Sequence, residues 1–456
     1  MPSFTQKFEL TFRRLLPSPL AIAFILTAIA YVTAYLVTKP SEASSVSYLG
    51  DLALMWKDGL WQSGLLAFTV QMMLILVLGH ILALSPLATR IIDSVVSKIS
   101  NGAQAAVVVG ILTMLVGLFN WGLGLIFGAI LARKVAESAH HREMKISYPL
   151  IGAAGYAGMM VWHGGISGSA PLKANQAGHI AELTGQQNVP AQVMLDQTIF
   201  SSMNAFATIA ILMAVGITLW LLSKNAPASV PPSLSRNVSL SAEDTETIGA
   251  EHIDKSPWTG TLVGILFLLL AVYSAIESTN VLGIITPDYI NFILLGLAFL
   301  AHRSLRSFSQ ALEEAIGGSA GILIQFPLYF GILGLVRDSG LVSIVATSLI
   351  ENSTAASFPF TTLLSSGLIN IFVPSGGGQW AIQGPLLVEA SQSLNVPLGK
   401  SIMAMAYGDQ LTNMLQPFWA LPLLGITKLK ARDILPYTLI LMAVGTVVYG
   451  VTLAFF

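Results

Sequence analysis

The chain has 456 residues, of which 54% are hydrophobic and only 10% are charged, and its mean hydropathy is +0.73. Because a soluble domain carries about 25% charged residues, this composition excludes an ordinary soluble protein and indicates an integral membrane protein. The net charge of −1 gives no reason to expect nucleic acid as a partner. The absence of cysteine excludes disulfides, thiol catalysis and cysteine-ligated metals.

The N-terminus carries Lys7, Arg13 and Arg14 ahead of the first apolar segment, and no clear cleavage site follows. We therefore expect a retained cytoplasmic end rather than a cleaved signal peptide. Further along, uncharged segments approach or exceed the roughly 20 residues that span a bilayer as a helix, except for a shorter sixth one. They are 15–38, 59–89, 146–172, 197–223, 256–276, 289–301, 315–336 and 434–456.

Two uncharged stretches are too long for one crossing: 99–132 has 34 residues and 352–388 has 37. A single helix of that length would reach about 50 Å, past a hydrocarbon core of about 30 Å. We predict re-entrant hairpins over about 102–132 and 354–388, turning at "FNWGLG" (119–124) and "NIFVPSGGGQWAIQGP" (370–385). The alternative is an ordinary pair of crossing helices joined by a tight turn.

A polar segment rich in serine and proline, 223–257, separates two halves that match at a constant offset. Tyr156 and Pro171 correspond to Tyr407 and Pro422 at 251 residues, and Asn120 corresponds to Asn370 at 250. The sequence thus divides into a first repeat (1–222), a cytoplasmic linker (223–257), and a linker helix with a second repeat (258–456).

Basic loops at 132–145, 302–306 and 428–432 are expected inside, with the N-terminus. The extra helix at 256–276 then turns the second repeat upside down and places the C-terminus outside. We predict an all-α integral membrane protein with two inverted-topology repeats, each containing a re-entrant hairpin and a broken transmembrane helix. This is the architecture of many secondary transporters.

Four motifs resemble the AtoE-type short-chain fatty acid transporter family: "FNWGLGLIFGAILARKV", "MVWHGGISGSAPLKAN", "NIFVPSGGGQWAIQGP" and "AMAYGDQLTNMLQPFWALPLL". The resemblance extends over nearly the whole chain. It implies kinship with the ion transporter superfamily of carboxylate carriers, a short-chain fatty acid as substrate, a homodimer, elevator-type movement and the bacterial cytoplasmic (inner) membrane.

The hairpin tips are the predicted carboxylate sites. A helix that restarts near Gln379 would offer free amides and a positive dipole end to an anion, and glycines allow close approach. The candidates are Ser375, Gly376, Gly377, Gly378 and Gln379 at the second tip, and Asn120, Gly122 and Gly124 at the first. The alternative is that these glycines only allow tight helix packing.

The broken elements "VWHGGISGSAP" (161–171) and "GDQLTNMLQP" (408–417) supply further candidates. In the first half these are His163, Ser167 and Ser169; in the second they are Gln410 and a face shared by Asp409, Thr412, Asn413 and Gln416. Asp409 is an acid inside a span and is by default functional, so we expect it to couple transport to an ion. Asn120 and Asn370 could ligate Na⁺, and His163 could relay a proton; structural roles are the alternatives.

No lysine or arginine lies well inside an assigned span, which favours a small monocarboxylate over a dicarboxylate. Its tail could contact Trp121, Trp162, Phe372 or Trp380, although plain packing explains these aromatics as well. We therefore predict a secondary transporter coupled to H⁺ or Na⁺, with no cofactor and no enzymatic activity. The alternatives are a carrier of other small anions such as C4-dicarboxylates, and a membrane channel or sensor.

Overall fold

The computed structural model describes residues 17–86, 90, 94–229, 249–278, 284, 286–350 and 353–456. The basic N-terminal residues and most of the polar linker lie outside this part of the chain. All regular elements of the described residues are helices, and seven helical runs are long and apolar enough to cross a membrane. These are Pro19–Thr38, Ser63–Leu82, Gly102–Phe119, Ser202–Asn225, Pro257–Glu277, Leu305–Asp338 and Ala431–Phe455.

The first hairpin consists of the helices Gly102–Phe119 and Trp121–His141. Asn120 alone forms its turn, inside the predicted stretch 119–124. One residue suffices because the Asn120 side chain caps the second helix by accepting from Leu123 N (3.0 Å). The predicted end at 132 is wrong, because the helix continues through charged residues that pair along it, such as Arg133 with Glu137.

The second hairpin consists of the helices Phe358–Phe372 and Gly376–Ser393, which replace the predicted bounds 354–388. The second helix does not restart near Gln379 as predicted. It begins at Gly376, since Ser375 acts as the N-cap and accepts from Gly378 N at 3.2 Å. The three glycines therefore form the first helical turn.

Each hairpin is followed by a broken helix. The first comprises Tyr148–Tyr156, 3₁₀ turns at Ala157–Met160 and Trp162–Gly164, and Ser169–Ala174. The second comprises Leu398–Thr412, a 3₁₀ turn at Asn413–Leu415, and Pro417–Thr427. The predicted interruption from residue 408 is wrong at its start, since helix geometry continues to Thr412 and includes Asp409.

The two halves make the same close contact between hairpin and broken helix. A Cβ on Gly158 would lie 2.9 Å from the carbonyl oxygen of Thr113, and one on Gly408 would lie 2.2 Å from that of Leu363. Both residues of the second contact lie 250 positions after those of the first. Backbones can approach this closely only where a glycine lacks a side chain, so the repeat is built into the packing.

Five helical segments lie between the two hairpins and are assigned as crossings: the first broken helix, Ser202–Asn225, Pro257–Glu277, Pro287–His302 and Ala320–Asp338. An odd number of crossings would place the hairpins on opposite faces, as an inverted repeat requires. The predicted fold class is confirmed. The helices Ser45–Leu60, His179–Thr184, Leu305–Ile316 and Leu341–Ile350 were not expected from the uncharged segments.

Candidate functional site

The two broken helices meet at His163 and Asp409. Nδ1 of His163 lies 2.6 Å from Oδ2 of Asp409, and the two side chains are 0% and 1% exposed. Nε2 of the same ring accepts the backbone N–H of Ala170 at 3.0 Å. Because an accepting Nε2 carries no proton, the hydrogen-bond network assigns the imidazole proton to Nδ1, which donates to the carboxylate.

The unwound backbone of each break is capped by the other half of the chain. Gln410 accepts from the amides of His163 (3.0 Å) and Gly164 (3.3 Å). The Gln410 amide donates to the hydroxyl of Tyr449 (2.8 Å), which donates to the carbonyl of Met160 (2.7 Å). In the other direction, the Tyr156 hydroxyl donates to the carbonyl of Asn413 at 3.0 Å. Side chains from each half thus stabilise the unwound backbone in the broken helix of the other half.

Sequence reasoning missed Tyr449 as a member of this network, and it used Tyr156 only as a repeat match. It also missed Asn204, whose amide donates to the carbonyl of Gly164 (2.8 Å) while its oxygen accepts from Tyr407 (3.0 Å). A tyrosine in an apolar helix was the available signal, because its hydroxyl must find a partner when it is buried.

Asn370 gathers the polar residues predicted on the second broken helix. Its amide donates to the carbonyl of Asp409 (2.8 Å), Thr412 Oγ1 (3.0 Å) and Asn413 Oδ1 (3.0 Å). The backbone carbonyl of Asn370 accepts from the side-chain amide of Gln416. The four residues do not share one continuous helical face, because the 3₁₀ turn starts at Asn413; the hairpin side chain brings them together instead.

Unpaired oxygens remain around this cluster. Among the described residues, Oδ1 of Asn370, Oδ1 of Asp409 and Oε1 of Gln416 are buried without a hydrogen-bond partner. Buried polar atoms are nearly always paired in native proteins, so such atoms need an explanation. Oxygens that only accept can be satisfied by a proton or by a small hard cation.

At the tip of the first hairpin, three of the first four amides of the second helix are occupied, and among the described residues Gly122 N has no partner. Leu123 N is capped by Asn120, Trp121 N donates to Ser167 Oγ (3.1 Å), and Gly124 N donates to the Asn120 carbonyl (2.9 Å). A Cβ on Gly124 would lie 2.6 Å from Gly117 Cα in the facing helix, whereas Gly122 meets only ordinary contacts. This tip favours the packing alternative for Gly124.

The second tip differs. Gly378 N is capped by Ser375, but the described residues give neither Gly376 N nor Gly377 N a hydrogen-bond partner. A Cβ on Gly376 would lie 2.7 Å from His163 Cε1, and one on Gly377 would lie 3.9 Å from Ser169 Cβ. Two free amides at a helix N-terminus thus lie against the first broken helix, an arrangement suited to an anion.

The side chain of Gln379 does not offer a donor at the hairpin tip as predicted. Its side chain is fully buried, and its amide donates to the Ser366 carbonyl (2.8 Å) and to Gln383 Oε1 (2.7 Å). It therefore ties the two helices of the second hairpin together rather than offering a donor at the tip.

Comparisons with known proteins identify the family of the chain. The sequence profile of the family described as Short chain fatty acid transporter matches residues 3–456. A protein of Escherichia coli (strain K12) that bears the provisional name short-chain fatty acid transporter is 35% identical over 448 residues, 97% of each chain. One of Haemophilus influenzae (strain ATCC 51907 / DSM 11121 / KW20 / Rd) with the same provisional name is 36% identical over 449 residues, 96% of each chain.

Two solved transporter structures resemble the fold at low similarity. The YdaH transporter of Alcanivorax borkumensis gives a TM-score of 0.47 at 15% identity, over 96% of this chain and 99% of that one. MtrF of Neisseria gonorrhoeae, described as illuminating a class of antimetabolite efflux pumps, gives 0.46 at 14% identity, over 100% and 97%. From the profile and the two relatives, this multi-pass membrane protein belongs to the short chain fatty acid transporter family.

Proposed function

We propose that this protein is a secondary active transporter that moves short-chain fatty acids such as butyrate and acetoacetate by alternating access. The single observation that carries the proposal is the pair of free amides at the second hairpin tip, Gly376 N and Gly377 N, which lie against the first broken helix. Because the positive end of the helix dipole points the same way, these amides favour one carboxylate.

The neighbours of this tip support a monocarboxylate. A Cβ on Gly376 would meet the side chains of Trp162 and His163, and one on Gly377 would meet that of Ser169. None of these side chains brings a fixed positive charge. A C4-dicarboxylate would have to place a second negative charge in the same surroundings, where charges are poorly screened. Carriers of such anions remain the alternative function, and a channel or sensor is the alternative of another class.

The cluster around Asn370 supports coupling to a cation. A proton on Oδ1 of Asp409 would remove the buried negative charge, and Na⁺ could instead be held by the free oxygens of Asn370 and Gln416. In both cases the cation would lie near the carboxylate site, so the two would cross the membrane together as symported species. H⁺ and Na⁺ are both retained as candidates for the coupling ion.

Movement and assembly are proposed from the resemblance. Hairpins and broken helices would move together against the remaining helices as an elevator, since the close glycine contacts join them in each half. We propose a homodimer in the bacterial cytoplasmic membrane, surrounded by lipid, with the N-terminus in the cytoplasm and the C-terminus in the periplasm.

The test is uptake of labelled butyrate, acetoacetate and succinate into proteoliposomes, with proton and Na⁺ gradients imposed separately. We expect saturable accumulation of the monocarboxylates that is driven by one of the two gradients. Uptake of succinate alone would establish the alternative carrier, and equilibration that ignores both gradients would establish a channel. Absence of any uptake would overturn the proposal.

A further inference from the structure

The indole of Trp162 lies between the two hairpin tips. Its ring makes an edge contact with Trp121 of the first hairpin, with centroids 6.2 Å apart at 61°. A Cβ on Gly376 of the second hairpin would lie 2.8 Å from Trp162 Cη2. The ring also stacks on the imidazole of His163, with centroids 4.4 Å apart at 16°. Three neighbours on different sides therefore fix its orientation.

The N–H of this indole has no protein acceptor. Trp162 is 5% exposed, and its Nε1 is buried without a hydrogen-bond partner among the described residues. A buried tryptophan normally bonds this donor, and leaving it unpaired costs about 1–3 kcal/mol. In a protein that binds an anion, such a cost is acceptable if the ligand supplies the acceptor.

The unpaired donor and the free backbone amides occur at the same place. Nε1 and Cη2 belong to one rigid ring, so the contact of Cη2 with the Gly376 position keeps the indole N–H within one ring length of the second tip. The amides of Gly376 and Gly377 are the other unpaired donors there. Three neutral N–H groups from two repeats are thus unpaired in this region, and none of them brings a charge that would retain the anion permanently.

We propose that Trp162 Nε1–H donates a hydrogen bond to the carboxylate of the transported fatty acid, beside the amides of Gly376 and Gly377. This proposal rests on the proposed function. It makes Trp162 a substrate-binding residue, a role different from that of an apolar wall for the alkyl tail. Because the donor is on the first broken helix and the amides are on the second hairpin, the carboxylate would bridge the two halves.

The test uses Trp162→Phe, which keeps an aromatic ring on His163 but removes the donor. We expect the KM for butyrate uptake to rise about tenfold or more, since a hydrogen bond to a charged group contributes that much. Trp258→Phe is the matched control, because Trp258 is 68% exposed, and it should leave the KM unchanged. An unchanged KM in Trp162→Phe would overturn the proposal.

A second measurement reads substrate binding in the wild-type protein. The chain has eight tryptophans, and the indole ¹H–¹⁵N resonance of Trp162 is identified by its absence from Trp162→Phe. In the wild-type protein it should shift when butyrate is added but not when the uncharged butyramide is added. If other resonances respond to butyrate and this one does not, Trp162 is excluded while the proposed function stands. If the wild type shows neither response nor uptake, the proposed function itself fails.

Discussion

His163 and Asp409 are 246 residues apart in the chain, yet their side chains meet at 2.6 Å and join the two broken helices inside the protein. Nδ1 donates to Oδ2, while Oδ1 of the carboxylate has no partner among the described residues. The pair therefore carries one buried negative charge unless a cation occupies the free oxygen. A buried charge of this kind is costly, so under the proposed function its neutralisation would be a driving step of transport.

Asp409→Asn should lower the accumulation of butyrate against its gradient at least about tenfold, while exchange of butyrate across the vesicle membrane continues. The reason is that an amide accepts from His163 as the carboxylate does, but it takes up no proton and offers a coupling cation no negative charge. Accumulation and counterflow are measured in the same proteoliposomes. Asp196→Asn, at an exposed position outside the spans, is the control and should behave as wild type. Undiminished accumulation in Asp409→Asn would exclude the carboxylate from coupling.

The second tip can be tested by a pair of neighbouring glycines. Gly376→Ala should lower butyrate uptake about tenfold or more, because its Cβ would lie 2.7 Å from His163 and 2.8 Å from Trp162, both of which are held by stacking. Gly377→Ala should retain most of the uptake, since its Cβ would lie 3.9 Å from Ser169 Cβ, an ordinary contact, and its amide is kept. Initial rates are compared at equal amounts of reconstituted protein. Equal effects of the two substitutions would contradict the close fit of the tip.

The fold was predictable from the sequence because its main signals come from whole stretches of residues rather than from single ones. Runs without charge give the spans, and two runs that exceed a bilayer give the hairpins. The exact tips were not predictable, because a single cap decides where a helix begins. Ser375 turns three glycines into a first helical turn, and Asn120 closes the other tip alone. The glycines had suggested a loop because glycine destabilises a helix interior, but the cost is smaller at a capped end.

The site was only partly predictable for a related reason. Asp409 stood out as an acid in an apolar helix, and His163 and Asn370 were flagged by the matching halves. Their partners depend on contacts between residues far apart in the chain, such as His163 with Asp409 at 246 positions, and no local pattern contains that information. The Trp162 donor could not be recognised from sequence at all, because only the structure shows that its N–H lacks an acceptor.

Tyr449→Phe should destabilise the protein by about 1–3 kcal/mol, because it leaves the Met160 carbonyl and the Gln410 amide buried without their partner. Unfolding in a mixed detergent titration measures the difference in the free energy of unfolding. Tyr273→Phe is the matched control, since Tyr273 is 61% exposed, and it should change the free energy by less than about 0.5 kcal/mol. Equal stability of Tyr449→Phe and wild type would show that the breaks do not depend on this cap.

His179 should make stability depend on pH. It lies in the short helix His179–Thr184 between two spans, and its Nε2 accepts the indole N–H of Trp380 in the second hairpin at 3.1 Å. Burial first, and then the charge of Lys173, lowers the pKa of His179 below its ordinary value of 6.5, although Glu182 opposes the shift. The folded state thus favours the neutral ring that this hydrogen bond needs.

The sign follows from proton binding. Above pH 6.5 the His179 ring is neutral in both the folded and the unfolded state, and its contribution to the free energy of unfolding is complete. As the pH falls below 6.5, the unfolded chain takes up the proton first, so stability declines until the pH passes the pKa of the folded state. His179→Gln should flatten this part of the profile in melting temperatures measured from pH 8 to pH 5. His141→Gln, at the exposed end of the first hairpin, should leave it as in wild type. A profile unchanged by His179→Gln would assign the decline to other groups.

The inverted arrangement of the hairpins can be tested directly, because the natural chain has no cysteine. His141 and Ser393 are exposed residues at the open ends of the first and second hairpin, and the five assigned crossings would place these ends on opposite faces. With the first basic loop inside, a cysteine replacing Ser393 should react with a membrane-impermeant thiol reagent in intact cells, whereas one replacing His141 should react only in inverted vesicles. Labelling of both from the same side would contradict the inverted topology. If the cysteine at 141 reacted in intact cells and the one at 393 only in inverted vesicles, the inverted topology would stand. The assigned orientation would then be reversed, with the N-terminus outside.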